Sequence, residues 1–393
     1  MTIKTEMINE LLIENNKIAM ERQISFWKRE VPDRILAEFI FGSDATLAAT
    51  KTGGTVSKDY PPLYDNIPGM LKDFENSVDE YIESESWKIV DDGFKIPIAW
   101  PELQFGNGMA GAIFGGELEV TSTKDHTYTF NKPVIKDWSG IRNIKFDENN
   151  VWVRRILDAL RYFVEHNSRE FVIRPFFIYE GADFIVSMRG TTQAFYDLID
   201  NPPELNVLYK IGRDSGIKFF EMKEKLISKY NENLIKNDKY SKMAPLHSIP
   251  MLDMDAYALC SAKIFERIGF ENKQAILNHF GGGSFYIHAM GRFIVPIAAH
   301  LENLTELWLF DDPKCPAYFD DRIKWRKETF DIPLQIYCSL KQFTGALEEK
   351  SLPGGVKYNI LTDKNEINIE EANGLMDKIK KYQTHHITGK PKR

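Results

Sequence analysis

Hydrophobic and polar positions follow two rhythms along this chain, and the change from one to the other divides it. Early on, apolar residues recur at helical spacing. Residues 6–29 carry Ile8, Leu11, Leu12, Ile18 and Phe26 among Glu, Asn and Lys, and 71–87 carry Leu71, Phe74, Val78 and Ile82 opposite an acidic face. Between them, Arg34 to Phe41 is a short apolar run, readable as a first buried strand or as the helix leading to one, and Gly42 stops it. Residues 43–65 turn to Thr, Gly, Ser, Pro and Asp, the composition of a long loop. From residue 171 onward, short apolar runs alternate with stretches of helical spacing. Strand starts are expected at Phe171, His247, Ser284, Glu306, Leu334 and Lys357, with helices over 184–198, 205–233, 261–279 and 369–382.

Such alternation reads as βα units around a parallel sheet. Six strand starts, with two more from the first third, make eight. The expectation is an α/β chain forming a (β/α)8 TIM barrel, with an N-terminal helical extension and a β excursion before residue 150. That excursion is Val120 to Val134, where Thr, Tyr and Phe alternate with charges, ahead of a helix at 151–167. No linker splits the chain, so residues 1–393 read as a single domain, with 1–95 as helical and loop extension and 96–383 as barrel core.

Composition narrows the classes. A hydrophobic fraction of 43% with 27% charged residues is that of a globular chain with a sizeable core. Lys+Arg 50 against Asp+Glu 57 gives −7 without a basic face, which argues against nucleic acid as a partner. The basic run at 389–393 and His385-His386 read as a solvated tail. Cys260, Cys315 and Cys338 show no pairing pattern. With no signal-peptide pattern and no apolar run near the ~20 residues of a membrane span, a cytoplasmic location is expected and no membrane partner.

The chemistry-bearing residues cluster at strand ends. Asp253 and Asp255, His288, Asp311 and Asp312, Cys338 and Asp363 all fall at or just beyond the C-terminal ends of expected strands. In a barrel these ends converge on one mouth, where catalytic groups lie, although Asp at such a place is also a common helix N-cap. His288 follows Phe285-Tyr286-Ile287 and precedes Gly291, which makes it the candidate acid–base or ligand residue, with Asp253 and Asp255 beside it. Arg189 and Arg292, with Asp311, are candidate substrate-binding residues, since Arg pairs bidentately with carboxylate or phosphate. A divalent metal such as zinc would need His288, Cys338 and an acid to converge from different strands, and no clear motif encodes one. The segment Gln104–Glu117 holds five glycines in fourteen residues yet fits no phosphate-loop pattern. It reads equally as a wall against backbone or against ligand.

Four stretches in order carry a family resemblance. They are Gly111-Ala-Ile-Phe-Gly-Gly-Glu117 with Pro133 to Trp138, Gly181 to Gly190 with Asp197 to Pro203, Asp253 to Phe265 with Ser261-Ala-Lys-Ile-Phe265, and His288-Ala-Met-Gly291. Spanning residues 100–380, they resemble the uroporphyrinogen decarboxylase superfamily, (β/α)8 barrels that include zinc-dependent methyltransferases acting on corrinoid or thiol acceptors. The resemblance implies an enzyme of methyl (C1) transfer or related lyase type acting on a small anionic or methylated molecule. It also leaves a separate corrinoid protein and a homodimer as candidate partners. Decarboxylation of a tetrapyrrole or other carboxylate, and ligand binding without catalysis, are the alternatives. Two departures count. Met290 stands where the methyltransferases have the Cys of His-x-Cys, and no Cys lies near Thr362-Asp363; a thioether and a carboxylate replace thiolates poorly on zinc. The arginine-rich N-terminal segment of the decarboxylases is reduced to Val31-Pro-Asp-Arg34, so a heme-pathway decarboxylase is not expected.

Overall fold

The computed structural model describes residues 3–41, 61–122, 127–169, 171–175, 178–200, 202–236, 250–252 and 255–384. Asp253, most of the expected loop at 43–65, residues 247–249 of an expected strand and the His385-His386 tail lie outside the described residues.

Parallel strands form the centre. β1 (Ile35–Phe41), β6 (Met251–Leu252), β7 (Ser284–His288), β8 (Glu306–Phe310), β9 (Leu334–Ser339) and β10 (Val356–Thr362) make one sheet in the order β1-β10-β9-β8-β7-β6. Every pairing in it is parallel. A second parallel pair joins β2 (Ile98–Ala99) to β5 (Val172–Ile173). The excursion before residue 150 is an antiparallel hairpin, β3 (Leu118–Ser122) with β4 (Thr127–Asn131). Closure into a barrel is not seen: among the described residues no backbone pairing joins the pair to the six-stranded sheet. Because β1 belongs to the main sheet, the sheet begins at Ile35, inside the segment 1–95 read as an extension.

Register explains the two faces. Reading straight across the strands, Phe285, Leu307, Leu334, Val356 and Ile35 form one row, and Ile287, Leu309, Ile336, Tyr358 and Ala37 the next. All ten are buried in the large core beneath the helices. Side chains alternate across a strand, so the residues between them point to the other, inner face. That face is polar deep down: Glu306 accepts hydrogen bonds from Ser284 Oγ (3.0 Å), Gln335 Nε2 (2.7 Å) and Trp27 Nε1 (2.9 Å).

Trp27 ends α1 (Ile3–Trp27), whose interrupted apolar stripe has a physical account. Its buried positions Asn15, Asn16, Ala19, Met20, Gln23 and Phe26 fall on one side at helical spacing, and three of them are polar. Asn16 accepts from Lys95 N, and Gln23 donates to Asp92 O. The same Asp91-Asp92 turn covers the free edge of β1, because Asp92 Oδ2 accepts from Ala37 N and Asp91 Oδ2 from Phe39 N. Carboxylates thereby satisfy the edge that an unpaired strand would expose.

Helices follow their caps. α2 (Val151–His166) starts at Asn150, whose side chain accepts from Trp152 N, and buries Val153, Ile156, Ala159, Leu160 and Phe163. α3 (Ile369–Lys381) starts with a capping box between Asn368 and Glu371. The helix expected over 184–198 is broken in two at Gly190, where φ is 78°. Of the expected strands at 171 and 247, the described residues show Val172–Ile173 and Met251–Leu252 paired. In the glycine-rich segment, Gly106 and Gly108 pass close against β4. A Cβ on Gly106 would lie 2.8 Å from Thr129 Oγ1 and 2.9 Å from Thr127 O, and one on Gly108 2.9 Å from Thr129 C.

Candidate functional site

His288 closes β7 on the inner face, in line with Ser284 and Tyr286, and its register partner on β8 is Phe310. The chain reaches it from Gly281, which ends the preceding helix in the left-handed conformation at φ 68°. Beyond His288 a 3₁₀ turn, Ala289–Ile294, carries the chain away.

The imidazole is held on one side and presented on the other. Asp312 Oδ1 lies 2.7 Å from Nδ1, and Asp312 Oδ2 accepts from Met290 N at 2.9 Å. Nε2 faces Asp255 Oδ1 at 3.5 Å, and the Tyr286 hydroxyl donates to the same Asp255 oxygen at 3.3 Å. Tyr318 steadies the strand end by donating its hydroxyl to His288 O at 3.1 Å. The Asp312 side chain is 15% exposed, that of His288 33% and that of Asp255 50%, so exposure rises from the orienting carboxylate outward. A carboxylate on Nδ1 fixes the tautomer and leaves Nε2 to exchange a proton.

Of the residues expected at the site, the structure brings His288 and Asp255 together. Asp311 is turned away and braces a loop: its Oδ1 accepts from Tyr318 N at 2.7 Å, and burial raises its pKa. Arg189 is buried in an ion pair with Asp197 (2.6 Å), donates to Ile135 O (2.9 Å) and stacks over Trp138 at 4.3 Å. Arg292 donates to Ala289 O at 2.9 Å and to Pro316 O, and lies over Tyr318. Arg189 is therefore spent on the protein's own groups and Arg292 is turned to carbonyls, and among the described residues these two form no clamp at His288. Cys338 shares a face with Ile336, in the core under the helices, opposite the face that carries His288. Its thiol is buried, which raises its pKa, and it cannot join His288 on one metal ion. Among the described residues no group of three or more His, Cys, Asp or Glu is placed to hold a metal. Met290 keeps its side chain 52% exposed and serves the site through its backbone N–H.

In the sequence Asp312 stands among the strand-end candidates without a role, Asp311 being preferred to it, and the rings beside His288 are not among them. A parity signal existed: inward positions on β8 run 306, 308, 310, and the next step of two is 312, not 311. Two clefts, of ≈ 380 Å³ lined by Arg22, Arg34, Leu36 and Lys380 and of ≈ 340 Å³ lined by Phe41, Ser86, Lys364 and Asn368, contain none of these groups. No described helix is long and apolar enough to cross a membrane.

No family model matches the chain, and no curated protein matches it. Among solved structures it is similar to a methyltransferase from Methanosarcina mazei, at 12% identity over 70% of this chain and 78% of that one, with a TM-score of 0.47. That likeness is too slight to assign an activity.

Proposed function

We propose that this chain is an enzyme that transfers a methyl (C1) group, or performs related lyase-type chemistry, on a small molecule held at the C-terminal ends of its parallel strands. In this reading the eight parallel strands, β1, β2 and β5 to β10, belong to a closed (β/α)8 barrel whose strand ends share one mouth. The observation that carries it is the His288–Asp312 pair at 2.7 Å, with Nε2 turned outward toward Asp255. Asp312 orients, His288 moves the proton, and Asp255 directs the incoming group. In methyl transfer, the acceptor's heteroatom attacks the methyl carbon as the bond from that carbon to its leaving group breaks. The acceptor's proton passes to Nε2, and Asp312 stabilises the imidazolium.

The engagement of Arg189 and Arg292 favours a methylated substrate over an anionic one, and it disfavours the decarboxylase alternative, which needs cationic groups around a carboxylate. Zinc has no part in the proposal: the described groups beside His288 are the carboxylates Asp255 and Asp312, and the nearest expected thiol, Cys338, faces the core. A separate corrinoid protein remains compatible with a methyl donor supplied from outside.

The test is a turnover screen of the full chain with a methylated corrinoid and methylated amines as donors and thiols as acceptors. His288→Gln should lower any turnover found by about 10²–10⁴-fold, the usual contribution of a positioned acid or base. Turnover unchanged in that variant would remove His288 from the chemistry. No turnover with any donor, together with ligand binding indifferent to His288→Ala, would leave a binding protein.

A further inference from the structure

The proton-transfer reading leaves unused the rings that surround His288. Tyr286, Trp308, Phe310 and Tyr337 occupy inward positions on β7, β8 and β9. Each keeps part of its surface open, where the alternate, outward positions are sealed in the core. Phe310 sits at the centre, with centroids 4.9 Å from Tyr337, 6.0 Å from Tyr286, 6.0 Å from His288 and 6.2 Å from Trp308. The planes are tilted or edge-on to one another, between 32° and 74°, and none is a flat stack. On this face Asn359 stands level with Tyr337, and Glu306, Gln335 and the buried Lys357, paired with Glu38, lie deeper.

Two further observations say what such a surface would hold. Its charged rim is acidic, Asp255 and Asp312 standing at the open end, while Arg292 is turned to carbonyls and to Tyr318. The indole N–H of Trp308 is buried and finds no acceptor among the described residues. Ring faces are negative and attract a cation within ~6 Å of the centroid, and they do so more strongly once the cation is out of water. An anion would meet ring faces and carboxylates of its own sign, and a neutral hydrocarbon would leave the Trp308 N–H unpaired.

We infer that Tyr286, Phe310 and Tyr337, with Asp255 at the rim, bind a small methylated ammonium ion, and that an oxygen on its short arm accepts from Trp308 Nε1. The inference rests on reading the His288 end of the sheet as the ligand site, and it names the substrate class that site takes.

Calorimetric titration of the full chain with choline chloride tests it, against 3,3-dimethylbutan-1-ol, which has the same shape and no charge. Choline should bind, and the alcohol should bind more weakly by about 2- to 30-fold, the range that cation–π attraction spans from exposed to desolvated sites. Phe310→Leu should weaken choline over the same range without changing the alcohol. Absence of choline binding, or an alcohol that binds as tightly as choline, overturns the inference. Both are read on the unaltered protein, so a variant that folds poorly cannot obscure the result. His288→Gln separates the two proposals. Choline binding retained with turnover lost supports both, and choline binding retained with turnover unchanged removes the proton-transfer role alone.

Discussion

Replacing Asp312 by asparagine should move one proton across one ring. Asp312 accepts twice, from His288 Nδ1 at 2.7 Å and from the backbone N–H of Met290 at 2.9 Å. An asparagine offers one acceptor and one donor in place of two acceptors. Met290 N–H can only donate, so the amide oxygen must face it and the NH₂ must face Nδ1. The imidazole answers by carrying its proton on Nε2. A hydrogen bond to a charged acceptor is worth about 1.5–3 kcal/mol, and each 1.4 kcal/mol is tenfold. The unaltered protein should therefore favour the Nδ1–H tautomer by roughly 10- to 150-fold, and Asp312→Asn should invert that preference. A protonated Nε2 cannot act as a base, so turnover should fall by up to about 10⁴-fold, the scale of a tautomer error at an oriented histidine. Ring ¹³C and ¹⁵N shifts of histidine-labelled protein read the tautomer directly at about pH 9, above the ordinary imidazole range; the His288→Gln spectrum assigns the signal. The argument fails if the unaltered protein carries the proton on Nε2, or if Asp312→Asn leaves it on Nδ1.

Two predictions concern the scaffold. Burial pushes the Asp92 carboxyl from the usual 3.8 up to about 6, with Arg22 pulling back toward ionisation. The folded value is the higher one, so the fold holds this proton more tightly than the unfolded chain. The stabilisation is complete below about pH 4 and is lost as pH rises through about 6, a difference of about 3 kcal/mol. Urea midpoints compared at pH 4 and pH 7 should show that loss, and Asp92→Asn should flatten it; equal slopes in both proteins would refute the assignment. Gly106 has φ 76°, and an added Cβ would lie 2.8 Å from Thr129 Oγ1, so Gly106→Ala should cost about 2–4 kcal/mol from backbone strain and overpacking together. Gly140→Ala, with open space around it, is the matched control, and similar melting temperatures for the two variants would count against that close approach.

Local signals in the sequence carried well where they were self-contained. The helix at 151–166 has its Asn150 cap and its apolar spacing within one segment, and the strands at 284, 306, 334 and 356 form close to where their apolar runs begin. Among the described residues, the runs at 171 and 247 pair over two residues each, β5 with β2 and β6 with β7. The imperfect stripe of α1 became intelligible once Asn16 and Gln23 met the turn at 91–95, some seventy residues away.

What the sequence determined by itself was the alternation of short strands and helices and the placing of His288 at a strand end, because both depend on neighbours within a few residues. The choice among the polar candidates was made by tertiary structure. Register sends every second side chain to the opposite face, which put Asp312 on His288, turned Asp311 to Tyr318 and buried Cys338 under the helices. Arg189 was likewise decided by burial, which set it between Asp197 and the carbonyl of Ile135, 54 residues away. A residue type states which bonds a side chain is able to make; the packed strands and helices decide which of them it makes.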